Sequence, residues 1–296
     1  MKPDGELQEL NQDKPLAPGL YLVATPIGNL EDITLRALRV LRQADRIACE
    51  DTRQTQKLLN HFDIKTPTVS YHMHNEGSRS EELVRELQAG ARIAVVSDAG
   101  TPGIADPGGQ VAAAAIAAGV NIFPVPGANA AVSALIASGL PTERFTFHGF
   151  LPAKAGARKT ALEELPRGDV THVFYEAPHR IVETLDDVKA VFGADQPVVV
   201  ARELTKLHEE FLRGTVGDLL ALLRARASIR GEMVLMFAPV VTEGATQHTS
   251  IAAAVASMMK AERIAEMDAL KRVARERGIG KSEAYRELQR EQNRLR

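Results

Sequence analysis

The sequence predicts an α/β protein made of two α/β units followed by a small helical extension. Three observations carry that expectation. Short apolar runs rich in β-branched residues recur between residues 19 and 237, separated by helix-length segments, which is the pattern of a mostly parallel sheet covered by helices. Arg92 to Gly119 holds one such repeat in full: a strand at Ile93–Val96, a loop with Gly100, Pro102, Gly103 and Pro107, then an alanine-rich helix. Beyond a low-information segment at Val240 to Ser250, Met267 to Arg277, Gly278-Ile279-Gly280 and Lys281 to Gln289 read as helix, tight turn, helix.

Composition narrows the functional classes. A chain of 296 residues has room for about two domains and an appendage. Its 45% apolar and 25% charged content is that of an ordinary globular protein. One cysteine, Cys49, excludes a disulfide framework and a cysteine zinc cluster. No apolar stretch approaches the ~20 residues of a membrane span. The polar start, Met1 to Pro18, lacks a signal-peptide core, so a cytoplasmic protein without a membrane partner is expected. Net charge is −2, yet Lys260 to Arg296 carries 11 basic and 7 acidic residues, a local +4. Aromatic content is 4% with no Trp, so a broad base-stacking platform is not expected and any RNA contact should be local.

Taken in order, residues 1–17 read as a disordered polar leader. Gly19–Ala24 is the first strand, and Asp32 is placed to cap the helix that buries Ile33, Ala37, Leu38 and Leu41. Strands follow at Arg46–Cys49 and Thr66–Tyr71, with a helix at Glu81–Gln88 before the central strand. Asp106-Pro107 reads as the cap and first turn of the alanine-rich helix. Val120–Val125 leads to the Pro126-Gly127 turn, where the domain boundary is placed, giving domains at 18–126 and 127–240. The second contains Phe145-Thr146-Phe147 and a basic loop at Lys154 to Lys159, with strands expected at Thr171–Tyr175, Pro197–Ala201 and Met233–Phe237. A linker at 241–250 precedes the extension at 251–296, where Val273, Ala274 and Ile279 should pack inside and Arg272, Arg275, Lys281 and Arg286 should face out. The extension reads equally as a solvated hairpin or a nucleic-acid contact.

Ser97, Asp98, Gly100 and Thr101 lie just past the carboxyl end of the central strand, where open α/β sheets bind ligands. Glycine there lets a ligand approach the backbone, and Asp98 can accept hydrogen bonds from hydroxyl or amino groups. Ser97 to Gln110 contains no Lys or Arg. A phosphate cradle usually supplies one, so a neutral or cationic nucleoside fits better than a triphosphate. In the second unit, Glu176, His179, Arg180, Glu203 and Lys206 lie near strand ends. They read either as acid, base and cation for chemistry or as an ion-pair network in which Arg180 or Arg202 holds Glu176 or Glu203. His179 alone forms no metal-ligand pattern, and no metal is expected.

Six motifs then occur in register: V-A-T-P-I-G-N-L (Val23–Leu30), E-D-T-R (Glu50–Arg53), V-S-D-A-G-T-P (Val96–Pro102), P-G-A-N-A (Pro126–Ala130), F-Y-E-A-P-H-R (Phe174–Arg180) and A-R-E-L-T-K (Ala201–Lys206). Together they resemble the bacterial 16S rRNA (cytidine-2′-O)-methyltransferases of the tetrapyrrole methylase superfamily. The resemblance covers Gly19 to about Phe237 and departs at Gly103–Asp106, where a bulkier residue at 103 and Ser at 105 would be expected. It implies two α/β domains with S-adenosyl-L-methionine held in a cleft between them, a homodimer, and the 16S rRNA of the small ribosomal subunit as partner. By position it implies a cofactor pocket of Pro26, Asp98, Gly100, Thr101, Ile104, Asn129, Ala130 and Tyr175. A ribose 2′-hydroxyl is a weak nucleophile, so Glu176, Arg180, Glu203 and Lys206 are the candidates for orienting it, taking its proton or offsetting its charge. Alternatives are a tetrapyrrole (precorrin-type) methyltransferase, a dinucleotide-dependent oxidoreductase and a non-catalytic ribosome-binding module. Glu50 lies about 20 residues after the first loop, as the dinucleotide fingerprint requires, but that loop has one glycine where the fingerprint has three.

Overall fold

The computed structural model describes residues 15–166, 170–237, 251–262, 264–276, 284–286 and 288–290. The chain divides into two compact units, Met1–Val240 and Val241–Arg296. The first holds two five-stranded sheets.

The first sheet has β1 (Gly19–Val23), β2 (Arg46–Cys49), β3 (Thr68–Ser70), β4 (Arg92–Val96) and β5 (Ile122–Val125) in the order β3-β2-β4-β1-β5, all parallel. Its strands were predicted as apolar runs, and most residues of β1, β2 and β4 are buried because helices cover both faces. On one face lie α1 (Leu35–Gln43) and α2 (Thr52–His61); on the other lie α3 (Glu76–Gln88) and α4 (Gly109–Ala117). The direction in which successive strands are added reverses between β1 and β4, so the segments that follow them leave toward opposite faces and a crevice lies at their carboxyl ends. Across it Thr25 and Gly100 exchange backbone hydrogen bonds of 2.9 and 3.0 Å.

Several expectations change at helix ends. Thr34, not Asp32, caps α1, accepting from Ala37 N at 3.0 Å, and Asp32 closes a short 3-10 turn at Leu30–Asp32. The helix α2 was not predicted; its buried side chains are Thr55 and Leu59, too few to print an apolar stripe. Asp106 does not cap α4: the helix begins after Gly108, and no side chain of its own N-cap bonds it. In the predicted leader, Leu16 is buried and Ala17 O accepts from the Tyr21 hydroxyl at 2.7 Å.

The second sheet runs β6 (Phe145–Phe150), β7 (Thr171–Glu176), β10 (Met233–Phe237), β8 (Pro197–Arg202), β9 (Glu210–Thr215) in that spatial order. It is mixed, since β10 is antiparallel to both β7 and β8 and β9 is antiparallel to β8. A strand at β9 was not predicted, because only Leu212 of its six residues is buried. With β10 between them, β7 and β8 point the same way, and Glu176 and Arg202 both pair with Met233. One face is covered by α5 (Ala130–Ile136), the other by α6 (Ala155–Glu163), α7 (Ile181–Phe192) and α8 (Val216–Arg224). The predicted basic loop at Lys154 to Lys159 is largely α6, and Arg158 turns inward. Its Nε donates to Asp187 at 2.7 Å with the side chain 2% exposed, a charge that burial tolerates only when paired.

In the second unit, α9 (Ile251–Glu262) and α10 (Glu266–Glu276) pack through Ile251, Val255, Leu270, Val273 and Ala274. The predicted linker at 241–250, the turn Gly278-Ile279-Gly280, Lys281 and the side chain of Arg275 lie outside the described residues, while Arg272 and Arg286 face out as expected. Among the described residues no helix is long and apolar enough to cross a membrane.

Candidate active site

The carboxyl ends of the first sheet and the Glu176–Met233 end of the second enclose a cleft of about 450 Å³. Asp98, Gly100, Thr101, Ile104, Ala130 and Tyr175 line it, as do Ile27, Glu50, Asp106, Phe150, Glu176 and Glu232. Pro26 and Asn129 are not in the lining. Asn129 stands behind it, capping α5 through Val132 N at 3.1 Å and donating to Thr101 Oγ1 at 3.3 Å.

Three carboxylates from two loops of the first sheet face this space: Glu50 after β2, and Asp98 and Asp106, both in the loop between β4 and α4. Asp98 Oδ1 accepts the amide of Asp51 at 3.0 Å, which ties the loops together. Burial, together with the negative charge of Glu50 and Asp98, pushes the Asp106 carboxyl up to about 6 despite a hydrogen bond from Ser97. Burial and Asp98 raise Glu50 as well. Among the described residues neither Lys nor Arg is in the lining, so the cleft is suited to a cation and opposes an anion. Ile27, Ile104, Phe150 and Tyr175 add apolar walls.

The four candidates for the chemical step fall into two groups. Glu176 is buried with both oxygens engaged: Oε1 accepts Ala177 N at 2.8 Å and Oε2 accepts the Thr184 hydroxyl at 2.6 Å. Arg180 Nε lies 3.3 Å from Glu176 Oε1, and its Nη2 donates to Leu151 O and Pro152 O at 2.8 and 3.1 Å. That group fixes the turn between β7 and α7. The second group has no atom in the cleft lining except through Glu232. Lys206 Nζ donates at 2.9 Å to both Glu203 Oε1 and Glu232 Oε2. Burial pulls the Lys206 ammonium down, but the two carboxylates outweigh it and hold the group above the usual lysine range. The turn that carries it is strained, with Glu203 and Thr205 at φ of 52° and 64°, a cost that recurs at functional sites. Arg202 pairs with Glu210 at 3.0 Å, not with Glu203.

Sequence reasoning passed over Asp106 and Glu232 as site residues. Asp-Pro ahead of a helix is the signature of a cap, which hid Asp106. Glu232 belongs to no motif and reaches the cleft only because β10 runs between β7 and β8.

Across residues 19–220 the chain matches the Tetrapyrrole (Corrin/Porphyrin) Methylases. It belongs to the tetrapyrrole methylase family. As a tetrapyrrole methylase it is 56% identical to the Ribosomal RNA small subunit methyltransferase I of Halalkalibacterium halodurans over 217 residues, covering 73% of this chain and 74% of that protein. The protein of the same name from Streptococcus pyogenes is 40% identical over 285 residues, covering 96% of this chain and 99% of its own, so that likeness reaches into the C-terminal unit. Among solved methylase structures, uroporphyrin-III-C-methyltransferase from Thermus thermophilus superposes with a TM-score of 0.53 at 26% identity, covering 76% of this chain and 96% of that one.

If Glu176 acts as an anchor for its turn, Glu176→Ala should lower the melting temperature by about 5–10 °C, the scale for leaving buried donors unpaired in a chain of this size. Glu176→Gln, which keeps an acceptor for Ala177, should lose less than half of that. Differential scanning calorimetry checks both, and an unchanged melting temperature in the alanine variant would remove the anchoring role.

Proposed function

We propose that this protein transfers a methyl group from S-adenosylmethionine to a ribose 2′-hydroxyl of a cytidine in small-subunit rRNA. The observation that carries the reading is the likeness to rRNA small subunit methyltransferases at 40% over almost the whole chain and 56% over its core. The cleft supports the cofactor independently, since a lining that holds acids and, among the described residues, neither Lys nor Arg fits a sulfonium. S-adenosylmethionine, when bound, supplies a methyl group that is already activated for transfer. Glu50, Asp98 and Asp106 would hold the cation, and Gly100 and Thr101 would meet the nucleoside part. Lys206, steadied by Glu203 and Glu232, would offset the charge that develops on the ribose oxygen. Little further is asked of the chain, because alignment of two bound reactants is itself a large part of such catalysis.

Calorimetric titration with S-adenosylhomocysteine, followed by mapping of labelled methyl groups on small-subunit rRNA, tests the reading. Binding together with one 2′-O-methylated cytidine is the expected result; transfer to a tetrapyrrole but not to rRNA would overturn it. A homodimer belongs to the proposal and is supported by the exposed apolar side chains Val132, Ile136, Phe145 and Phe150; sedimentation at a single-chain mass would exclude it.

The C-terminal unit is proposed to add phosphate contacts, on the strength of the +4 balance over Lys260 to Arg296. Deleting residues 251–296 should weaken rRNA binding and flatten its salt dependence without changing S-adenosylhomocysteine affinity. Equal RNA affinity with and without those residues across a salt series would rule the contribution out.

A further inference from the structure

The loop Thr101–Gly108 carries Thr101, Ile104, Ala105 and Asp106 into the cleft wall, and little within the loop explains why it stays there. Ala105 sits at φ 63°, a conformation that L side chains leave unless the surroundings hold them. Asp106 is pressed toward Glu50 and Asp98, like charges that repel it. Inside the loop the backbone bonds are Gly103 N to Pro107 O at 3.1 Å and Ile104 N to Thr101 O at 3.3 Å. The near end is fastened by the Thr25–Gly100 bridge. The far end enters α4 without a side-chain cap of its own.

A buried cluster from outside the cleft supplies that fastening. Glu76, in the first turn of α3, uses Oε1 to accept Gly108 N at 3.1 Å and the Tyr71 hydroxyl at 2.8 Å. The Tyr71 oxygen in turn accepts Val111 N at 3.2 Å and lies 3.3 Å from Ser80 Oγ. Tyr71, Glu76 and Ser80 are 1%, 8% and 5% exposed, and none of them lines the cleft. A carboxylate at a helix N-terminus is favoured by both the unpaired amides and the helix dipole. Gly108 cannot move aside freely, since even a methyl on it would lie 3.0 Å from Gly103 N. We infer that Tyr71 and Glu76 are positioning residues that hold the far end of the cofactor loop, and with it the placement of Asp106. This rests on the cleft being the cofactor site.

The test uses the full chain and S-adenosylhomocysteine as probe, titrated calorimetrically well below each variant's unfolding temperature. Glu76→Ala and Tyr71→Phe should each weaken binding about fivefold, the scale for leaving one buried amide unpaired, while Glu76→Gln, which keeps an acceptor for Gly108, should bind within about twofold of the parent. In the parent, binding of the sulfonium form, S-adenosylmethionine, titrated in parallel, should weaken as Asp106 takes up its proton. In Glu76→Ala the pH of that weakening should fall, because a loosened loop frees Asp106 from its burial and from the charges of Glu50 and Asp98. A variant that melts earlier but keeps the parent affinity and pH midpoint would show that the cluster only stabilises the fold, and the inference would fail. Should Glu76→Ala not fold, Tyr71→Phe, which removes a single oxygen, decides the matter alone. An Asp98→Ala control separates the two levels. If the parent does not bind the probe, or Asp98→Ala binds it equally well, the cleft reading itself falls and takes this inference with it.

Discussion

Replacing Lys206 with alanine should lower methyl transfer roughly a hundredfold while S-adenosylhomocysteine affinity changes less than about twofold, the signature of a group that acts only as charge develops. The ammonium is charged at neutral pH, since its two carboxylate partners hold it above the usual lysine range. It therefore serves as a fixed positive charge and not as a proton acceptor. Its geometry is constrained on every side. Glu203 and Glu232 fix Nζ, and the stem packs so closely on the first loop that a methyl on Gly28 would lie 2.4 Å from Lys206 Cγ. Arginine has a bulkier head and a different donor geometry, so Lys206→Arg should restore little. Single-turnover transfer with saturating cofactor and rRNA is the measurement. Normal turnover in Lys206→Ala would make the cluster a structural ion pair.

Asp98→Ala should weaken S-adenosylhomocysteine and S-adenosylmethionine binding at least about tenfold, for loss of a charged hydrogen-bonding partner in a partly buried cleft. It should weaken the sulfonium form more, because only that form is a cation at the reacting end. The pH dependence follows from Asp106. Its carboxyl titrates at about 6, above the ordinary aspartate range. Above that pH it is ionised and attracts a cation; as the pH falls through it, the charge is lost and sulfonium affinity should drop. A bound cation lowers the carboxyl's pKa, so binding near pH 6 should release protons to the buffer. Stability runs the other way. The folded chain keeps this proton where the unfolded chain has lost it, so ionising Asp106 costs stability as the pH rises from the ordinary aspartate range through about 6. Asp106→Asn should therefore raise the melting temperature above that pH and weaken cofactor binding in the same variant. Titrations between pH 5 and 8 with both ligands check the pair, and a sulfonium affinity that ignores pH would exclude Asp106 from the cation site.

How much of this could be read beforehand depended on how each residue is used. The strands β1, β2 and β4 were legible because a sheet covered on both faces needs near-continuous apolar runs. Asp98 was legible because it caps nothing and ends the central strand. By contrast, α2 and β9 bury too few side chains to leave a periodic trace, and a short polar segment then reads as loop. Asp106 was misread because Asp-Pro is chemically suited to two tasks, and only the placement of Gly108 at the helix start decides between them. The ion pairs of the second sheet were foreseen as an alternative, and Arg180 with Glu176 forms one. That Lys206 would meet Glu232, and through it the cleft wall, could not be read, because that depends on β10 lying between two strands that come before it in the chain.

That placement of β10 has a consequence for the order in which the protein can be made. In the first sheet, β1 pairs with β4 and β5, so Leu20 waits for Ile93 and Ile122. In the second, β7 and β8 have no common neighbour until Met233–Phe237 is synthesised. Pairings so distant along the chain are slow to close, and unpaired strand edges are exposed in the meantime. A nascent chain that ends short of Glu232 lacks the strand that joins β7 to β8, the carboxylate that steadies Lys206 and one wall of the cleft. Retention on an immobilised S-adenosylhomocysteine resin thus becomes a gauge of completed synthesis, with chains stopped before residue 232 passing through and chains that include Phe237 held.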